Sequence, residues 1–506
     1  MRESRTKNTK RNIAFSYLDS IVTLIFQFVS RTIIVQVLGS QYLGLSSLYQ
    51  SILQVLNMAE LGFSSAIVFN MYRPIADGDT DTVCSLLNYY KKIYRIVSVV
   101  VLTVGLAVSP FLPHLIKDEP PAGINIYFLY FLYLGNTCAS YMFFAYKTAL
   151  LNALQRLDLS KIAYTSANLI QYVLQIVSLA VLRNYYLFVF WTILGTVCKN
   201  LFSAYISRKK FPQYVCKGEL SSEIKKDIIS RVKGLMVCNI SAATYTTFDS
   251  IILSTFIGLT SVAIYNNYIT IFSGVTLFIT LIRNAMQASV GDSVAVETKE
   301  KNYRDMLLWQ FLFSFIATVC VTCMISLYQP FMELWMGKDL LLSFHNVILI
   351  CVLFFTGVIQ NAYFLYLSGN GLWWEMRWVY ISSTVANLIL NIVLGKIMGI
   401  TGIILSTLIS TVAFGLIWQS AIIFKSYFQK GTKQFHLRQT GYLAVCIVSS
   451  AGAYFLNKLI GVDGIPGLFA KLIVCVIVSL SLQALVYHKT KEYSHAVGIM
   501  KAALKK

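Results

Sequence analysis

Charge and proline are both scarce in this chain. Of its 506 residues only 13% are Asp, Glu, Lys or Arg, and eight are proline, whereas a soluble domain of average usage carries about twice that charge. That deficit excludes a single water-soluble globule. Catalytic signatures are missing as well: no Walker phosphate loop, no H-E-x-x-H and no G-x-S-x-G occurs, which excludes the ATP-driven pumps and hydrolases those motifs mark. Ten cysteines are present, but they lie in apolar segments or basic loops without paired spacing, so no disulfide framework follows. The one C-x-x-C, Cys320 and Cys323, sits in an uncharged stretch and reads as packing rather than a metal or redox site. GNG at 369–371 has no strand-and-helix context and reads as a helix end. DGDTD at 77–81 reads as a solvated turn after Pro74.

Apolar residues make up 57% of the chain. Runs wide enough to span a bilayer centre on 13–38, 42–70, 92–112, 124–146, 162–182, 185–206, 234–257, 260–288, 306–328, 345–367, 377–397, 400–424, 440–458 and 466–487. The expected fold is an all-α integral membrane protein of about fourteen spanning helices, each needing roughly 20 residues. An even count puts both termini on one side. Of the 42 Lys and Arg, 35 then fall on the N-terminal side, 6 on the opposite side, and Arg31 alone within a span. Basic loops stay in the cytoplasm, so the +20 net charge reports topology rather than nucleic-acid binding, and both termini are expected to be cytoplasmic. Trp335, Trp373, Trp374 and Trp378 near span ends suit an interfacial belt.

The most basic connection follows the sixth span and divides the chain. The expected parts are a tail at 1–12, a six-helix lobe at 13–206, a basic linker at 207–233, a second six-helix lobe at 234–424, and two extra helices with a cytoplasmic tail at 425–506. A shift of 219 residues lays VLGSQYLGLSSLYQSIL (37–53) on FIGLTSVAIYNNYITIF (256–272), with Gly39 on Gly258, Gly44 on Ala263 and Tyr49 on Tyr268. Six helices separate the copies, so the lobes form a parallel pseudo-twofold repeat. Such duplication marks transporters.

Ionisable groups within spans cost on the order of 2.5–3.5 kcal/mol each unless they face a cavity or a partner. Asp19, Arg31, Glu60 and Asp249 are such groups, with Lys147 and Arg283 nearer the inner interface. Arg31 falls one residue from the repeat partner of Asp249, so the two are candidates for a pair that closes a gate; alternatively Arg31 takes an anionic substrate, for which a planar guanidinium is suited. Asp19, Glu60 and Asp249 are candidates for gating or for binding a coupling proton or sodium ion. Interhelical hydrogen bonds account for them equally well. No metal site and no cofactor is expected.

The stretch LGSQYLGLSSLYQSILQVLNMAELGFSSAIVFNMYRPIA (38–76), with its G-x-x-x-L-G turn, AELG at 59–62 and helix-ending YRP, resembles polysaccharide-biosynthesis flippases of the Wzx type. These belong to the multidrug/oligosaccharidyl-lipid/polysaccharide (MOP) exporter superfamily. PFMELWMGKDL (330–340) is similar to that family's Trp-x-Gly segment, and the loop at 283–304 leads into YRDMLLWQ where its second lobe continues. The resemblance implies a MATE-like fold and a non-enzymatic, alternating-access flippase. Its substrate would be an undecaprenyl-diphosphate-linked oligosaccharide, moved to the outer leaflet of the bacterial cytoplasmic membrane for capsule, O-antigen or exopolysaccharide assembly. It also implies that Arg31, and more weakly Arg283, bind the diphosphate. Membrane lipids, and polysaccharide-assembly glycosyltransferases or a polymerase, are the partners it suggests. Two other readings stay open: a cation-coupled multidrug exporter of the same fold, and a membrane glycosyl polymerase or ligase, which would need a larger outer loop than any found.

Overall fold

The computed structural model describes residues 5–60, 63–121, 123–495 and 498. Among them every regular element is helical. The chain divides into two compact units, residues 1–263 and 264–506. The first contains α1 (Arg5–Val37), α2 (Ser40–Asn57), α3 (Phe63–Asp77), α4 (Thr80–Val108), α5 (Ile126–Met142), α6 (Tyr146–Ala153), α7 (Leu157–Ala180), α8 (Tyr185–Lys210), α9 (Ser222–Phe256) and the start of α10 (Leu259–Val296). The second contains the rest of α10, then α11 (Lys299–Met336), α12 (Phe344–Ile359), α13 (Asn361–Asn370), α14 (Arg377–Met398), α15 (Ile400–Ser410), α16 (Gln419–Ile423), α17 (Lys433–Lys458) and α18 (Gly464–Tyr487). Joined across short breaks, these helices make fourteen runs, consistent with the expected spans. Ten are long and apolar enough, by length and composition, to cross a membrane.

Polarity is turned inside out, as hydrocarbon solvent requires. On α14, Asn387 and Asn391 are fully buried while Val385, Ile389 and Val393 are 51%, 56% and 48% exposed. Asn387 ties α14 to α15 by donating to Thr407 Oγ1 at 3.4 Å, and within α14 Asn391 donates to Asn387 Oδ1 at 3.2 Å. Trp374, between α13 and α14, and Trp378, in the first turn of α14, are both exposed.

Helix boundaries follow local chemistry. Asp79, Asn125, Asn184, Ser221 and Thr298 cap α4, α5, α8, α9 and α11 by accepting a backbone N–H, which satisfies donors the first turn leaves open. Asp79 thus assigns the acidic 77–81 turn to capping. Gly371, the second glycine of GNG, adopts φ 66 and ends α13.

The internal repeat is visible in the backbone. Gly39 (φ 101) ends α1 and its partner Gly258 (φ 134) ends α9, conformations an L side chain rarely adopts. Tyr49 and Tyr268 are both fully buried on the following helix. Each fastens a distant loop of its own unit: Tyr49 donates to the Ile126 carbonyl at 2.8 Å, and Tyr268 accepts from the Leu342 N–H at 3.1 Å.

Two local expectations are corrected. The helix does not end at YRP but runs through Pro74 to Asp77, because a proline in the last turns removes a single intrahelical bond. The 42–70 run is broken by a 3₁₀ turn at Met58–Glu60; Leu61 and Gly62 of the AELG motif lie outside the described residues. Residues 211–221 connect α8 to α9, and α1 begins at Arg5.

Candidate functional site

Arg31 lies on α1, two turns before its end, and interacts electrostatically with the Tyr185 phenol on α8. That phenol belongs to a buried hydroxyl network. Tyr185 and Tyr133 share a hydrogen bond of 3.1 Å, Tyr133 and Ser46 one of 2.8 Å, and Gln50 donates to Ser46 at 3.0 Å. Four helices, α1, α2, α5 and α8, thus carry Arg31 and this hydroxyl network. Asp249, 1% exposed on α9, lies in the same unit, and both it and Arg31 hold polar partners.

Asp19 sits about 18 Å from Arg31 along α1, twelve residues at about 1.5 Å each. It is buried, with Lys161 Nζ at 2.7 Å from one carboxylate oxygen and Thr165 donating to the other at 3.2 Å. The i, i+4 spacing on α7 aims both donors at one point. Glu60, at the break between α2 and α3, accepts from Tyr94 at 3.0 Å, and Tyr90 donates in turn to Tyr94. Lys147 is buried and donates to the Tyr214 carbonyl at 2.9 Å, so it fastens the 211–221 segment to α6.

Between α3 to α8 lies a cavity of about 310 Å³ whose polar wall includes Tyr94, Asn152, Tyr164, Thr196, Lys199 and Asn200. By the alternation of helical runs, these positions fall in the half of the unit nearer the N-terminal side. Thr196 donates to Asn136 at 2.8 Å, Tyr164 and Thr148 share a bond of 3.1 Å, and Asn200 donates to the Ser140 carbonyl at 3.3 Å. Lys199 is the only charged residue among those lining the cavity. Sequence reasoning passed it over by assigning its charge to the inner side. The signal was present, since Lys199 interrupts the 185–206 run eleven residues before the end of α8; a charge that deep needs a partner or a cavity.

In the second unit Arg283 lies over the Phe364 ring, 4.6 Å from its centroid, and donates to Asn361 Oδ1 at 3.3 Å. Its Nε is buried without a partner among the described residues. That donor is available to an oxyanion. Among the described residues, no group of three or more His, Cys, Asp or Glu is arranged to hold a metal ion.

A family model described as polysaccharide biosynthesis protein matches residues 9–290. No curated protein sequence matches the chain. Solved structures are similar in fold. One is an inward-facing multidrug resistance MATE family transporter of the MOP superfamily, 17% identical over 81% of this chain and 96% of that one, with a TM-score of 0.67. Another is the lipid II flippase MurJ in an inward closed conformation, 14% identical over 94% and 99%, TM-score 0.62. A MOP superfamily transporter from Pyrococcus furiosus is 17% identical over 85% and 98%, TM-score 0.55. At these identities the likeness establishes a shared fold, that of multi-pass membrane transporters.

Proposed function

Because this chain belongs to the polysaccharide biosynthesis protein family and has the fold of MOP-superfamily transporters rather than of an enzyme, we propose that it flips lipid-linked oligosaccharide across the bacterial cytoplasmic membrane. The substrate is an undecaprenyl-diphosphate-linked repeat unit, carried from inner to outer leaflet by alternating access with both termini in the cytoplasm. The physical task is to shield a diphosphate and its sugars from hydrocarbon, where unpaired charge and hydroxyls are prohibitively costly. The observation that carries the reading is the family match over 9–290, which spans the region holding Arg31 and the polar cavity.

Arg31 and Arg283 are the diphosphate ligands in this reading. Arg31 lies beside a tyrosine network, and Arg283 lies over Phe364 with a free Nε. The Asp19 pairing weighs against a cation-coupled exporter working through that carboxylate, because the Lys161 ammonium already occupies the place a coupling cation would take. Glu60 and Asp249 are the remaining candidates for gating or for proton or sodium coupling. Partner glycosyltransferases or a polymerase would meet the chain on its basic cytoplasmic face.

The test uses proteoliposomes holding the purified chain and a fluorescent undecaprenyl diphosphate oligosaccharide, scoring how fast inner-leaflet lipid becomes accessible to an external quencher. Wild type and Lys489→Ala are expected to flip, and Arg31→Ala to lose flipping while remaining in the membrane. Arg31→Lys is expected to fall in between, since a point charge lacks the planar fork. Absence of lipid movement, with uptake of amphipathic cations driven by an ion gradient instead, would replace the flippase with the exporter.

A further inference from the structure

The cavity inside the first unit is built differently from the surroundings of either arginine. Its walls supply hydroxyls and carboxamides from six helices, Tyr94 from α4, Asn152 from α6, Tyr164 from α7, and Thr196 and Asn200 from α8 among them. These groups both donate and accept, which matches a ligand whose own groups do both. Tyrosine adds an amphipathic surface, an apolar ring with a polar tip, suited to a molecule with apolar C–H faces and polar edges. Among the described residues, neither the Lys199 ammonium nor the Asn152 carboxamide has a hydrogen-bond partner in the protein. Asp19 acts on Lys199 through space, but its two oxygens are taken by Lys161 and Thr165, and Glu60 stands behind the Tyr94 hydroxyl.

Size sets the ligand further. About 310 Å³ lies at the small end of the roughly 300–1,000 Å³ range of ligand pockets, room for one ring rather than a whole repeat unit. A single ammonium in a wall otherwise neutral selects one anionic group and not a cluster. We propose that this cavity receives one hydroxylated sugar ring bearing a single anionic group, with Lys199 as the partner of that anion. The assignment rests on the flippase reading and deepens it: the repeat unit carried contains an acidic sugar, and the ring that enters the cavity is held apart from Arg31, which does not line it.

Two sources share this anion chemistry, a carboxylate on the ring and a phosphate of the lipid linkage, and the experiment separates them. Ala145 lines the cavity, and Ala145→Cys provides a thiol whose alkylation by N-ethylmaleimide is followed by peptide mass spectrometry in the full-length chain. The probes are methyl glucuronoside, methyl glucoside and inorganic diphosphate. Methyl glucuronoside is expected to slow alkylation at concentrations about tenfold or more below methyl glucoside, since a charge-assisted hydrogen bond is worth at least that factor. Lys199→Met should remove the difference and Lys199→Arg should keep most of it, with unchanged gel-filtration behaviour certifying the fold. Protection by diphosphate equal to that by the glucuronoside would overturn the sugar-ring assignment, as would no protection by any probe or full protection in Lys199→Met. The lipid-flipping assay on the same preparation keeps the two readings apart. Flipping without protection removes the subsite alone, whereas absence of flipping removes the function it rests on.

Discussion

Asp19 and Lys161 show what a charge needs in order to stand inside this chain. Their contact of 2.7 Å is backed by Thr165 on the second carboxylate oxygen, so each member satisfies what would otherwise be a stranded ion. Asp19 is the more buried member and the Lys161 side chain is 30% exposed, so removing either partner costs less than the roughly 3–5 kcal/mol of a fully buried pair, while removing both is nearly neutral. Asp19→Asn and Lys161→Met should therefore each lower the thermal midpoint in detergent, and the double variant should recover most of the loss. Equal and additive losses would show that the pair does not act as one. Glu492, in the tail beyond α18, is the counterpart outside the membrane. Partial burial pushes its carboxyl up, but the hydrogen bond from Arg438, with a backbone hydrogen bond and the cationic charge nearby, more than offsets this and leaves it below the usual carboxylate range. A depressed value means the contact stabilises the tail fully above about pH 4.3, the unfolded reference, and is lost as pH falls through the lower folded value. Amide exchange across 488–495, corrected for intrinsic rates, should show protection at pH 6 that declines toward pH 3, and Glu492→Gln should flatten that profile. The residue scale is also where sequence reading reached furthest and stopped. Each of Asp19, Arg31, Glu60 and Asp249 stood out as a lone charge in an apolar run, and the structure finds Asp19 and Asp249 buried and gives Glu60 a hydrogen-bond partner. Which partner each takes depends on helices more than a hundred residues away in the case of Lys161 and Asp19, and no local pattern encodes that.

Among the elements, the hairpin turns at Gly39 and Gly258 carry the clearest record of duplication. The two glycines share a left-handed backbone, yet their surroundings differ. A Cβ at Gly39 would meet nothing within 4 Å, whereas one at Gly258 would lie 2.0 Å from Asp118 Oδ2. Gly39→Ala should therefore cost only the strain of its backbone, about 1–2 kcal/mol, and Gly258→Ala that strain plus the displacement of Asp118. Unfolding in a denaturing detergent series should rank them in that order, and equal losses would mean that Asp118 moves aside freely. The repeat and the fourteen apolar runs were legible because hydropathy and a turn glycine are local. The breaks at 58–60 and between α5 and α6 were not. Phe144 takes φ 57 at the second of these, a conformation tertiary packing imposes against the preference of the residue.

For the molecule as a whole, the decisive contacts join the segment after α4 to the α9–α10 turn. The Ser254 hydroxyl donates to the Leu115 carbonyl at 2.7 Å, and the Lys117 N–H to the Ser254 carbonyl at 3.2 Å. Lys117 Nζ reaches the Phe256 carbonyl at 2.8 Å, capping the end of α9, and Asp118 accepts the Leu259 N–H at 3.1 Å, capping the start of α10. Gly44 makes the close approach possible, because a Cβ there would fall 2.0 Å from the Leu259 carbonyl oxygen. Under the lobe boundaries expected from the sequence, 13–206 and 234–424, residues 115–118 and 254–259 belong to different lobes, and the proposed alternating access would part this junction once per cycle. A cysteine pair at Asp118 and Leu259, closed by a short bis-thiosulfonate in a chain freed of its native cysteines, should then arrest lipid flipping, and reduction should restore it. Asp118→Ala, which removes one cap worth about 1 kcal/mol, should leave flipping intact while raising the reactivity of a thiol placed at Leu259. Undiminished flipping in the bridged chain would mean that the two segments travel together, and that the moving boundary lies elsewhere, as a division after residue 263 would place it.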